Sequence, residues 1–185
     1  MSSIATFLDR ISFAVDRVLR LLAQIGVVMM VAFIALQVVA RYGFSAPPAW
    51  TEEAARYAMV WVGLLGAAVS YRIGFDPRLV HLPATMPRPV LAGAALLRGA
   101  AVVVFLGPIL FYSFYGPGMD PGRSFLARNI YTSAETFDMP MIFVAVTVPI
   151  FIIAIFLHGL AHCARGLAGL QAETKKRDPN AQDHA

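Results

Sequence analysis

The chain carries no charged side chain between Leu21 and Ala40. A helix over those residues would be about 30 Å long, the thickness of a bilayer hydrocarbon core. The apolar core of a cleavable signal peptide is shorter, roughly 7–15 residues. This block therefore reads as a membrane span with Gln24 and Gln37 as its polar interruptions. The rest of the composition agrees: 58% of the 185 residues are hydrophobic and 14% are charged. Soluble domains carry roughly 25% charged residues. So few charges cannot cover a water-facing surface, and lipid is the natural solvent for the surplus apolar area. The expected fold class is all-α integral membrane.

Four spans are expected, at about 19–41, 52–72, 94–115 and 139–163. Ahead of the first, Ile4, Phe7, Leu8, Ile11, Val15, Val18, Leu19 and Leu22 recur at helical spacing, with Asp9, Arg10, Asp16, Arg17 and Arg20 largely between them. That pattern predicts an amphipathic helix lying in the membrane interface before the chain turns inward. Phe44 to Pro48 holds two prolines and cannot continue a helix. Thr51 is placed to cap the second span, with Glu52 and Glu53 in its first turn, where negative charge suits the helix dipole. Gly63 and Gly66 offer close packing, and Trp50, Trp61 and Tyr71 are interface or packing aromatics. In the third span Arg98 reads as a snorkelling interface residue and Pro108 as a kink. A short helical piece is expected near Ser124 to Ile130. Pro149 sits inside the fourth span, and residues 166–185 read as a polar, disordered cytoplasmic tail.

Arginine and lysine counts set the orientation. The N-terminal flank (Arg10, Arg17, Arg20), the Arg72–Pro89 connection (Arg72, Arg78, Arg88) and the C-terminal flank (Arg165, Lys175, Lys176, Arg177) outnumber the other two loops. The positive-inside rule then places both termini in the cytoplasm. The net charge of +4 is scattered around apolar blocks, which fits membrane anchoring and not nucleic acid.

Little in the chain points to chemistry. Its single cysteine, Cys163, excludes a disulfide framework. His158 and His162 share a helix face beside it, but no other predicted helix interior supplies an opposing histidine for haem, and the pair reads as the interfacial end of the fourth helix. Glu52, Glu53 and Arg56 read as a solvated helix start, with Arg56 one turn on forming an ion pair with Glu52 or Glu53, and contact with another subunit is the rival reading. Nucleotide, hydrolase and metalloprotease signatures are absent, as is any pair of broken helices framing a midplane transport site. No enzyme activity and no cofactor are expected.

The run Trp50-Thr-Glu-Glu-Ala-Ala-Arg-Tyr-Ala-Met-Val-Trp61 resembles the small membrane subunit of tripartite ATP-independent periplasmic (TRAP) transporters. So do the first span's end at Gln37-Val-Val-Ala-Arg41-Tyr42, then Trp61-Val-Gly-Leu-Leu-Gly66-Ala67, Tyr71-Arg72-Ile-Gly74, the Met139-Pro140-Met141 start and Pro149. The likeness extends from Asp16 to about Arg165. It departs at Phe75 to His81, where the family often has a histidine followed by an aspartate. The resemblance implies a bacterial inner-membrane scaffold subunit. It would brace a large transmembrane subunit that holds the sodium and substrate sites, fed by a periplasmic binding protein for an organic anion of the carboxylate class. It also singles out Arg41, Trp50, Glu52, Glu53, Arg56 and Trp61 as candidate partner contacts. The alternatives are the small subunit of a tripartite tricarboxylate system, a haem-binding electron-transfer subunit, and a lone small transporter.

Overall fold

No glycine or proline falls between Ser3 and Ile25, so nothing in the backbone interrupts a helix there. In the computed structural model, which describes residues 3–74 and 88–177, α1 runs unbroken over Ser3–Phe44. At 42 residues it is about 63 Å long. The expected turn between an interfacial segment and the first span is not present. The physical reason lies in which face is covered. Ser12, Asp16 and Leu19 are buried against the protein, while Phe7, Phe13 and Val18 are exposed. The polar stripe finds its partners inside the bundle, so the helix has no need to lie down at the interface.

Pro47 and Pro48 end the connection, and α2 follows over Ala49–Ile73. Pro48, not Thr51, takes the N-cap position and gives no side-chain cap bond. Thr51 is buried one turn further on and donates its hydroxyl to the Pro48 carbonyl at 2.7 Å. Gly74 closes α2 in a left-handed conformation (φ 71) that a side chain would resist, its N–H returning to Ser70 and Tyr71. Helix α3 spans Arg88–Phe114 and continues through Pro108. Helix α4 is short, Phe125–Ile130, with Ser124 as its N-cap accepting from the Ala127 amide at 3.1 Å. The short helix expected near Ser124 to Ile130 is therefore present. The last span is divided. Helix α5 covers Ile142–Ala145 and α6 covers Thr147–Arg177. Pro149 supplies the cause: it has no N–H to offer the Ala145 carbonyl four residues back, and its ring crowds that carbonyl. Pro149 thus falls in the first turn of α6, where proline is tolerated. The helix also runs past residue 166, where a polar tail was expected to start. The 75–87 connection, with the atypical Phe75–His81 run, lies outside the described residues, as do the Arg98 side chain and residues 178–185.

Helices α1, α2 and α6 pack on one another, and α3 adds to the outside of α6. Their shared core is Leu19, Leu65, Ala68, Ala154 and Ile155, with Trp61, Val102 and Leu106 against it. Close approach uses other glycines than expected. A Cβ at Gly63 or Gly66 would meet open space, whereas one at Gly26 would lie 2.9 Å from Val62 Cγ2 and one at Gly159 3.2 Å from the Tyr71 hydroxyl. Two stretches, Thr6–Phe44 and Ile142–Ala164, are long and apolar enough to cross a bilayer; Gly99–Phe114 is apolar but shorter. Of the four expected spans, then, two meet that test.

Among the described glycines, the one with least room for a side chain is in the α3–α4 connection. A Cβ on Gly116 would lie 2.4 Å from the Arg123 carbonyl oxygen and 2.5 Å from its carbon. Backbone cannot step aside as a flexible side chain can. Gly116→Ala is therefore expected to destabilise this turn by about 1–3 kcal/mol. Faster proteolysis between residues 115 and 125, with the helix content unchanged, is the measurement that checks it.

Candidate partner-contact site

One residue of α2 organises the segment before α5. Residues 132–141 fold back on themselves: the Met141 amide donates to the Thr132 carbonyl at 2.7 Å and the Ala134 amide to Met139 at 2.9 Å. An isolated antiparallel bridge joins Ser133 and Pro140. At the tip of this fold the amides of Glu135 and Thr136 point at Glu53. Glu135 N–H reaches Glu53 Oε1 at 2.9 Å and Thr136 N–H reaches Oε2 at 2.8 Å. The Thr136 hydroxyl also donates to Oε2, and the Tyr57 hydroxyl to Oε1. An ionised carboxylate is acceptor-only, and each of these contacts is a donor, so both oxygens are satisfied. Glu53 is 3% exposed. The Phe137 ring stacks at a tilt on Tyr57, 6.2 Å between centroids, and closes the clamp on one side.

Trp61 repeats the logic two turns along α2. Its indole Nε1–H donates to the Phe143 carbonyl at 3.0 Å, holding α5 to α2. Trp50, 37% exposed, meets Phe33 of α1 edge-on at 5.9 Å. The other three candidates are surface residues. Arg41 is exposed in the last turn of α1, and Glu52 in the first turn of α2, each with the charge sign that suits its helix end. Arg56 is exposed and Glu53 is turned away to the loop amides, so of the two partners expected for Arg56, Glu52 or Glu53, the second is taken up elsewhere. The six candidates therefore split. Glu53, Trp61 and Trp50 join segments of this chain, and Arg41, Glu52 and Arg56 are presented outward.

A second polar centre, which the sequence reading missed, ties together α1, α2 and α6. His158, expected at an interfacial helix end, is fully buried inside the protein. Its Nδ1 lies 2.8 Å from Ser12 Oγ, and Arg72 donates to the same hydroxyl oxygen at 3.2 Å. Arg72 can only donate, so Ser12 accepts from it and keeps its own proton for His158. Arg72 further lies 3.7 Å from Asp9 and 4.0 Å from Asp16, and Asp16 pairs with Arg20 at 2.9 Å. His162 Nε2 contacts the Arg72 carbonyl at 3.1 Å. The available signal was the spacing of Asp9, Ser12 and Asp16, which puts three polar groups on one helix face. Among the described residues no group of three His, Cys, Asp or Glu stands together as metal ligands. The arrangement can hold helices and a loop in place.

The comparisons with known proteins decide the family. A family model, the DctQ component of tripartite ATP-independent periplasmic transporters, matches residues 30–169. The chain belongs to the DctQ family. Neither a curated protein nor a solved structure matches it significantly. DctQ is a membrane component of a transport system and not an enzyme family, so partnership with the system's other components follows from membership. The apolar helices and the family together mark an inner-membrane protein. The DctQ match contains the Glu53 clamp, both tryptophans and His158. It begins inside α1, so Ser12 and Asp16 lie ahead of it.

Proposed function

We propose that this chain is the four-span scaffold subunit of a sodium-coupled, binding-protein-dependent importer of organic anions of the carboxylate class. The observation that carries the reading is the family match over residues 30–169. Two physical points support it. Helices α2 and α3 have 25 and 27 residues, about 38 and 40 Å, enough to cross a core of about 30 Å beside the two more apolar helices. The Glu53 centre is closed within the chain, both carboxylate oxygens being taken by its own donors, which suits bracing better than binding a substrate. In this reading both termini are cytoplasmic. The segment 131–141 and the exposed Arg41, Glu52 and Arg56 then face the periplasm, where Trp50, Glu53 and Trp61 set the surface offered to the large subunit and the incoming binding protein.

Uptake by proteoliposomes, with the three components added in every combination, tests this. Uptake is expected only when the large subunit, the binding protein and a sodium gradient are all present, and this chain is expected to copurify with the large subunit. Saturable uptake by this chain alone would replace the scaffold reading with that of a lone transporter.

A further inference from the structure

The N-terminal half of α1 sorts its charges by sign. Asp16 turns toward the bundle, 4% exposed and bonded to Arg20, and Asp9, its side chain 41% exposed, lies 3.7 Å from Arg72. The bases turn out: Arg10 and Arg17 are exposed. Between them lie exposed apolar side chains, Phe7, Phe13 and Val18, and the Phe13 ring is held between the Arg17 and Arg72 guanidinium groups at 5.1 and 5.2 Å. This mixed face runs without a break into the exposed apolar side of the same helix at Leu21, Leu22 and Ile25, within a stretch apolar enough to span.

We propose that this face is a binding surface for anionic phospholipid, with Arg10 and Arg17 taking the headgroup phosphate and Val18, Leu21 and Ile25, on the membrane side of both arginines, lying along the upper acyl chain. Charge complementarity selects the occupant. With Asp9 and Asp16 already engaged by Arg72 and Arg20, the outward charge of the face is positive, and arginine pairs with phosphate through two parallel N–H donors. The apolar continuation selects lipid over a free phosphate ion, because a soluble anion would make no use of Val18, Leu21 and Ile25. A basic residue at the surface of an anionic membrane adds to lipid affinity additively, and two arginines account for roughly a tenfold preference or more.

Native mass spectrometry of the full chain in detergent, titrated with phosphatidylglycerol, phosphatidylcholine or inorganic phosphate, tests the proposal. Phosphatidylglycerol is expected to bind about tenfold more tightly than phosphatidylcholine, and inorganic phosphate not to compete. The double variant R10Q/R17Q, in which two exposed side chains outside the Arg72 centre are changed, is expected to lose that preference while R10K/R17K retains most of it. Helix content by circular dichroism should be the same in all three. Equal binding of the two lipids by the unmodified chain would overturn the proposal. So would a preference that survives in R10Q/R17Q, which would belong to another basic flank.

Discussion

Glu53→Ala is expected to release the 132–141 segment and to cost the complex its assembly, while Glu52→Ala leaves both intact. The two glutamates are neighbours in sequence and differ only in which way the helix turns them. Glu53 receives two backbone amides and two hydroxyls; Glu52 is exposed. Without the carboxylate, the Glu135 and Thr136 amides have no acceptor in place, and hydrogen exchange there is expected to quicken about 10- to 100-fold. Glu53→Gln should not rescue it. An amide can put an oxygen at only one of the two positions, and a backbone N–H, unlike a hydroxyl, cannot rotate to accept. Exchange at residues 135 and 136, read alongside copurification of the large subunit, checks both halves. Unchanged protection in Glu53→Ala would mean that the segment holds itself.

The second large effect is expected from Arg72→Leu. Arg72 is the one group that reaches Asp9, Ser12 and Asp16 on α1 while its own carbonyl meets His162 on α6. Its loss leaves the buried Asp16 with Arg20 alone and takes a donor from Ser12. Breaking a buried charge pair by removing one partner is strongly destabilising, and with Arg20 remaining about 2–3 kcal/mol is expected. That is a drop of roughly 5–10 °C in the thermal midpoint of the purified chain. Arg72→Lys restores the charge but not the planar fork, so it should fall between the two. A midpoint for Arg72→Leu within a degree of the parent would show that the α1 acids are already neutralised by other means.

The helices were legible because their signals are local. The prolines at 47 and 48 and the uncharged block from Leu21 mark boundaries by what they do to their own backbone, whereas Pro149, read as lying inside one span, divides it. What stayed hidden depends on pairs far apart in sequence. Glu53 reads like Glu52 until Thr136 is known to lie beside it. Asp9 and Asp16 read as the wet side of an interfacial helix, because in water a polar stripe faces out, and Ser12 drew no reading at all. In the structure the stripe faces Arg72 and His158. Gly63 and Gly66 looked like packing positions by their proximity to one another, yet the residues that come close are Gly26 and Gly159, whose neighbours Val62 and Tyr71 sit on α2. Of the resemblance, the stretch from Arg41 to Gly74 carried the family, and the family model confirms it.

The long separations have a consequence for biogenesis. The Glu53 clamp closes on a residue 83 positions later, and the Ser12–His158 contact spans 146. At a synthesis rate of roughly 5–20 residues per second, that is about 4–17 s and 7–29 s between the emergence of each group and that of its partner. During that interval an acid in a nascent helix would face lipid alone. Each centre, however, contains one partner a single turn away on the same helix: Tyr57 for Glu53 and Arg20 for Asp16. Those bonds form as soon as the helix does. They let α1 and α2 enter the bilayer with Asp16 and Glu53 already partnered, and the later helices then add to a bond that was there before they arrived.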